Sequence, residues 1–401
     1  MSLSILYHCF GLVKIKYLKT EYQRGQLIFW VQLKEKQCSN CQSYRVIQKG
    51  KTYRMLRTVP IGKKLVFIKL ELRRLHCRDC GTLAQESYQG IAEAKKHYTN
   101  KLVQFVCTLS SYMTVNDIAK YLQLNWNTVW QMLSTHLHKS VPTAQELRKL
   151  RRIGMDEIAV SKGHRYLTIV VDHDTGRVVH VSKGRDGHSI RNFLKRLRRL
   201  KVPIEVVTTD MWIPYISTIM ELLPNCNIVY DKFHIIANFN RMIDKLRRKE
   251  YWLNSRMDRN IIKGTRFLLL KHPDRLNDSA KEQLDKLFRL NKPLAVCYQM
   301  KEMLYQLWNH NNQTDAEAFL MQWCKIAHQS AIQMLIKFAN LLLAHRTAIL
   351  NYFKYPLTNA LLEGINNKIK TVKKQAYGFR NMNNFFLKIY NLHNSRYALI
   401  G

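Results

Sequence analysis

Residues 204–231 read IEVVTTDMWIPYISTIMELLPNCNIVYD. A β-branched run ends in Asp210, a short helical stretch follows, and a second strand-like run ends in Asp231. Upstream, IGMDEIAV (153–160), RYLTIVVDH (165–173) and RVVHVSKG (177–184) have the composition of three short strands, with turn material at SKGH (161–164) and HDTG (173–176). HSIRNFLKRLRRL (188–200) is a basic amphipathic helix that leads into the strand ending at Asp210. Downstream, residues 237–352 read as helices broken by KHPDRLND, LNKP and NHNNQTD, and a final helix carries Glu363.

Three strands, helix, strand, helix, strand and a late helix is the order of a ribonuclease-H-like α/β core. The order therefore predicts such a core over 151–401, with an all-helical insertion at about 240–352. Residues 1–95 look β-rich: LVKIKYL, QLIFWVQL and KLVFIKLELRRL all have strand composition. The N-terminal MSLSILYHCFGLVKIKYLK lacks a basic start and a small-residue cleavage site, and reads as a strand, not a signal peptide. Residues 96–150 look helical, ending in a linker marked by Pro142 and the basic run Arg148–Arg152.

Composition limits the function. The chain carries 65 Lys and Arg against 28 Asp and Glu, a net charge of +37. A field that positive selects polyanionic partners, nucleic acid first. An anionic membrane surface usually needs a compact basic patch or an amphipathic anchor, whereas here the charge runs the whole length. No apolar run is long enough to span a bilayer. A cytoplasmic, nucleoid-associated protein is expected, in which the nine cysteines form no disulfides.

Four of those cysteines form two CxxC pairs, Cys38–Cys41 and Cys77–Cys80. A two-residue gap lets both sulfurs of a knuckle reach one tetrahedral Zn²⁺. Thirty-five residues separate the pairs, more than usual, and the strand-like TYRMLRTV and KLVFIKLEL fill the excess with a β-hairpin. One structural Zn²⁺ is expected. The isolated Cys9, Cys107, Cys226, Cys297 and Cys324 read as core filler.

VNDIAKYLQLNWNTVWQML (115–133) fits a helix-turn-helix. Thr114 caps the first helix, Ala119 is the small residue at the crossing, and Val129 and Leu133 fill the core. Asn127, Thr128 and Gln131 then lie on the exposed start of a recognition helix. A helical hairpin that only packs is the plainer alternative.

Phosphoryl transfer by two metal ions needs carboxylates from distant parts of the chain. In a ribonuclease-H-like core they sit on the first strand, at the end of the fourth and on a late helix, which here are Asp156, Asp210 and Glu363. A helix N-cap is the plainer alternative for Asp210, and an ordinary edge-strand carboxylate for Asp156. Glu363 resists such an explanation, because it is the only acid from Ala318 to Gly401 among eleven Lys and Arg. Leu362, Ile365, Ile369, Val372 and Ala376 form one stripe of that helix, while Asn359, Glu363, Asn366 or Asn367, Lys370 and Lys374 share another face. That layout suits metal at one end and DNA backbone along the rest. Glu157 points to the opposite face of its strand from Asp156, and Asp172, Asp174 and Asp186 sit where turns favour Asp.

GMDEIAV, VVTTDMWIPYISTIMELLPNCNIVYDKFH, KGTRFLLLKHPDRL and NALLEGINNKIKTVKKQAYGFRN resemble bacterial insertion-sequence transposases of the DDE type, in the family named ISL-three that carries an N-terminal zinc-binding segment. The resemblance covers nearly the whole chain. It implies that Asp156, Asp210 and Glu363 are the catalytic carboxylates, with a helical insertion between the second and third. Where the family often has small or polar residues between the Asn and the Glu, this chain has Ala360, Leu361 and Leu362. Asp231 and His234 match a family motif. Asp231 is a candidate fourth metal neighbour and His234 a candidate contact to phosphate or a leaving 3′-oxygen; a structural Asp–His hydrogen bond accounts for the pair equally well. Asn359 is a further accessory candidate.

The expected activity is two-metal (Mg²⁺ or Mn²⁺) cleavage of transposon ends and joining of the 3′-hydroxyls to target DNA. The alternatives are an inactive DNA-binding regulator and a nuclease that does not join. Double-stranded terminal inverted repeats and target DNA are the expected partners, met by a homodimer or larger assembly. Lys370, Lys373, Lys374 and Arg380 are the candidate backbone contacts.

Overall fold

Two mixed β-sheets organise the computed structural model, which describes residues 3–161 and 165–394. Most of the turn expected at SKGH falls on 162–164, outside the described residues. The chain divides into two units, one running to Ser140 with Lys374–Leu387, the other Val141–Lys373 with Lys388–His393.

The first unit opens with helix α1 (Leu3–Phe10), followed by β1 (Ile15–Gln23), β2 (Gln26–Leu33), β3 (Val46–Ile61), β4 (Lys64–Cys77) and β5 (Leu83–Gln85). The expectation of a strand from the first residues is corrected here. Leu6 and Phe10 are buried while His8 between them is exposed, the period of a helix, since a pleat would turn all three to one face. Gly11, at φ +67°, then ends the helix by donating to the Tyr7 carbonyl. The sheet order is β1-β2-β4-β3 with β5 on β4, and β2 runs parallel to β4. The β3–β4 hairpin pairs Val46 with Cys77, so its open end brings the two CxxC pairs together.

Helices α2 (Asn100–Leu109), α3 (Val115–Leu122) and α4 (Trp126–His138) follow. Thr114 and Asp117 form a reciprocal capping box at the start of α3. Gln123 closes α3 in the left-handed conformation and Asn125 caps α4, so two residue-level signals enforce a short turn. Ile118, Ala119, Leu122, Val129 and Met132 are buried together, and Asn127 and Gln131 are exposed.

In the second unit, α5 (Ala144–Leu147) precedes β6 (Arg152–Ser161), β7 (Arg165–Asp172) and β8 (Val178–Lys183). The run expected to be a linker is anchored: Leu147 and Leu150 are buried in the main core. Then come α6 (Gly187–Arg199), β9 (Val206–Thr209), α7 (Ile213–Leu222), β10 (Asn227–Tyr230) and α8 (Lys232–Leu253). The sheet order is β10-β9-β6-β7-β8, with β10, β9 and β6 parallel and β6, β7 and β8 antiparallel. A helical array follows: α9 (Arg256–Ile262), α10 (Arg266–Leu270), α11 (Asp278–Leu290), α12 (Lys292–Gln306), α13 (Gln313–Gln329), α14 (Gln333–Ala344) and α15 (Arg346–Leu350). Helix α16 (Ala360–Gln375) and α17 (Met382–Tyr390) complete the order. Among the described residues no helix is long and apolar enough to cross a membrane.

The stripe read on α16 is real: Leu362, Ile365, Ile369 and Val372 are buried. At roughly 1.5–3 kcal/mol per buried aliphatic side chain, this face and not any single polar contact dominates the packing of the helix. Gly154 on β6 permits the close approach. A Cβ there would lie 2.6 Å from Leu362 Cδ1, 2.7 Å from His173 Nε2 and 2.9 Å from Thr208 Oγ1.

Candidate active site

Parallel strands β6 and β9 lie side by side, so Asp156 within β6 and Asp210 just past β9 come to the same end of the sheet. His234 arrives from the first turn of α8. One ligand atom from each of Asp156, Asp210 and His234 lies within 4.8 Å of the others. His234 Nε2 is 2.8 Å from Asp210 Oδ1 and 4.0 Å from Asp231 Oδ2, so its principal partner is Asp210. Asp210 Oδ1 is itself buried and has no other partner among the described residues. Asp210 is not an N-cap, since Trp212 holds that position on α7.

The electrostatics are those of crowded acids. Burial, reinforced by the Asp210 charge, pushes the Asp156 carboxyl up to about 6, against the Glu157 amide, His234 and Asn366, which favour the charged form. Burial lowers the proton affinity of His234, but Asp210, Asp156 and Asp231 outweigh it and hold the imidazole above its ordinary value. Glu157 is outside the converging group, yet burial and the Asp210 and Asp156 charges raise it to about 7. A hard divalent cation takes carboxylate oxygens as ligands. The mutual repulsion of two half-buried acids is what such an ion would relieve, so the donor set fits one.

Asp231, the candidate fourth neighbour, lies outside the converging group. It is buried and caps α8 by accepting from the Phe233 amide at 3.0 Å. Asn359 is also buried, and its Oδ1 accepts from Thr208 Oγ1 at 3.0 Å. Asn366, one of two amides read as equivalent, is the one that reaches the site: its Nδ2 donates to Asp156 Oδ2 at 2.7 Å. Glu363 stands outside the converging group. It is exposed in the first turn of α16 and forms no ion pair among the described residues. Helical spacing places it on the flank shared by Asn359 and Asn366. His173 and Thr208, joined at 2.7 Å, were not legible as site residues; a turn histidine and a strand threonine carry no spacing signal.

Asp172, Asp174 and Asp186 do have local roles. Asp172 accepts from the Asp174 amide and the Thr175 hydroxyl, Asp174 pairs with Arg152, and Asp186 caps α6. On α16, Lys370 is exposed, but Lys373 donates to the Val160 carbonyl and is tied back to β6.

In the first unit, Cys38 Sγ is 3.6 Å from Cys80 Sγ and Cys41 Sγ 3.5 Å from Cys77 Sγ, and all four converge within 4.8 Å. Tetrahedral Zn–S bonds of about 2.3 Å place sulfurs about 3.8 Å apart, so the cluster fits zinc. Each knuckle turns through a left-handed residue just after its second cysteine, Gln42 at φ +60° and Gly81 at φ +68°. Of the isolated cysteines, Cys297 and Cys324 are buried as expected, whereas Cys9 is exposed on α1 and is not core filler.

Known proteins resemble both parts of the chain. A family profile described as transposase matches residues 153–389, and one described as the zinc-finger of transposase IS204/IS1001/IS1096/IS1165 matches residues 34–80. The transposase for insertion sequence element IS1001 of Bordetella parapertussis is 34% identical over 342 residues, 84% of this chain and 84% of that protein. The transposase for insertion sequence element IS1557 of Mycobacterium tuberculosis is 26% identical over 360 residues, 83% of this chain and 80% of that protein. Among solved structures, the Drosophila P element transposase strand transfer complex aligns at a TM-score of 0.38 and 11% identity, over 80% of this chain and 95% of that one. That likeness is too loose to carry an argument.

Proposed function

Since this chain belongs to the ISL3 family of insertion-sequence transposases, we propose that it cuts the ends of its element and joins the freed 3′-hydroxyls to target DNA at the site built on Asp156 and Asp210. The observation that carries this reading is the convergence of Asp156, Asp210 and His234 within 4.8 Å at one end of the second sheet. The strand and helix order from β6 to α16 supports reading 151–401 as a ribonuclease-H-like core with a helical insertion at about 240–352. The β-rich residues 1–95 and the helices of 96–150, read as a zinc-binding domain and a helix-turn-helix, would recognise the terminal inverted repeats, with Asn127, Thr128 and Gln131 facing the bases.

Asp156 and Asp210 would hold divalent cations, magnesium or manganese, and Glu363 would complete the ligand set from α16. Such ions, when bound, stabilise charge on the attacking and leaving oxygens of an in-line displacement. Asn366 fixes one oxygen of Asp156 and leaves the other lone pairs for ligation. Asn359 and Thr208 seat the start of α16 on β9, which aims Glu363. His234, held toward Asp210, would donate a proton to a phosphate oxygen or to the departing 3′-oxygen. Lys370, Lys374 and Arg380 would follow DNA phosphates, and paired ends require a dimer or larger assembly in the bacterial cytoplasm.

Labelled element-end DNA incubated with the protein, Mg²⁺ and a plasmid target tests this. The expected products are cleaved ends and joined strands. Cleavage without joining would mark a nuclease, and binding without cleavage a regulator.

A further inference from the structure

We propose that Trp212 and Arg185 form a nucleotide subsite beside the acidic cluster, the indole stacking on an unpaired base of the DNA strand held there and the guanidinium meeting its phosphate. The inference rests on the DNA-cutting reading above and names which groups grip the strand.

Trp212 follows Asp210 by two residues, and its amide donates to the Asp210 carbonyl at 2.7 Å. The indole therefore cannot move far from the acidic cluster. Its edge is fixed too, because Nε1 donates to the Arg185 carbonyl at 2.9 Å. Trp212 nonetheless remains 40% exposed, and the next residue, Ile213, is 71% exposed. A large aromatic held rigidly and left half bare costs little entropy when it takes a planar partner.

Arg185 supplies the second half. Its guanidinium lies 4.6 Å from the Tyr166 ring centroid and 5.6 Å from that of Trp212. It is exposed and forms no ion pair among the described residues. The acid next to it, Asp186, is already occupied in accepting from the Ser189 amide. The charge of Glu157 is felt without a bond. A guanidinium oriented by two rings, with its donors unspent, is suited to a phosphate. An aromatic face beside a free cation is the combination that binds single-stranded nucleic acid without sequence preference. The other segment entering the cluster repeats it: Phe233, just before His234, is 60% exposed, with Lys232 Nζ 5.7 Å from its ring centroid. Exposed aromatics scattered singly need no explanation; two beside the converging ligands, each with a cation, do.

The test is a cycle of protein and DNA changes, read as binding in Ca²⁺ by the full chain. The probes are an element-end duplex with a tail of three thymidines, the same duplex with three abasic positions, and the blunt duplex. Trp212→Ala should weaken binding of the thymidine tail by about 5- to 150-fold, the range for one stacked base. It should leave the abasic tail and the blunt duplex within about twofold of wild type, and Trp212→Phe should restore most of the loss. Arg185→Gln should lower the slope of log affinity against log salt by about one contact. Equal losses on thymidine and abasic tails would overturn the stacking subsite while leaving the transposase reading intact. Wild-type protein that binds none of the three would overturn both.

Discussion

Asn366 Nδ2 donates to Asp156 Oδ2 at 2.7 Å and joins residues 210 positions apart in the chain. The bond links the helix that carries Glu363 to the strand that carries the first acid. It leaves Asn366 Oδ1 buried and without a donor, so the amide is held for what it gives to Asp156.

Asn366→Leu should therefore act on metal use more than on folding. Partners that orient a metal ligand are typically worth 10- to 100-fold in affinity or activity. The expected result is a rise of that order in the Mg²⁺ concentration giving half-maximal end cleavage, with thermal unfolding little changed. An unaltered Mg²⁺ dependence would remove Asn366 from the site.

Cys38→Ser and Cys77→Ser should each release the zinc, because structural zinc contributes folding free energy directly. Metal analysis of purified protein should find about one zinc per wild-type chain and far less in either variant. Binding of element ends should weaken with it. Well-folded wild-type protein free of zinc would contradict the account.

His180 should set part of the acid limit of stability. It is stacked on Phe193 at 4.6 Å between centroids, and burial pulls it down to about 4. The unfolded chain, titrating near 6.5, then binds the proton more tightly than the folded one. Stability is intact above about pH 6.5 and falls as pH drops toward about 4, by on the order of 3 kcal/mol in all. His180→Phe should flatten that part of the pH profile in chemical denaturation; an unchanged slope would show that another group causes it.

What the sequence made legible was whatever has a local signature. The strand order around Asp156 and Asp210, the CxxC pairs and the Thr114 and Asn125 caps follow from short patterns of composition and spacing. The helix of Leu3–Phe10 was missed because its apolar residues also suit a strand, and only tertiary burial of Leu6 and Phe10 arbitrates. Asn366 and Asn367 stand about 100° apart around α16, and which of them meets Asp156 depends on how the helix is rolled onto the sheet, a tertiary matter. Asp231 ends a strand and also begins the next helix, where it caps α8, so its place in the sequence fits either role. His173, Thr208 and Leu362 all crowd the space over Gly154 that a side chain there would occupy. Such a three-way contact leaves no trace in the order of residues.

The central claim is that Asp156, Asp210 and Glu363 together hold the metal that cuts DNA, although Glu363 lies outside the converging group in this structure. The direct measurement is Mg²⁺-dependent cleavage and joining of labelled element ends by Asp156→Asn, Asp210→Asn and Glu363→Gln, alongside binding of the same DNA. The account predicts that each variant binds ends as wild type does and loses cleavage by at least about a thousandfold, the order of several kcal/mol of transition-state stabilisation. Wild-type cleavage by Glu363→Gln would contradict it and leave the lone acid of that basic helix without a role in the chemistry.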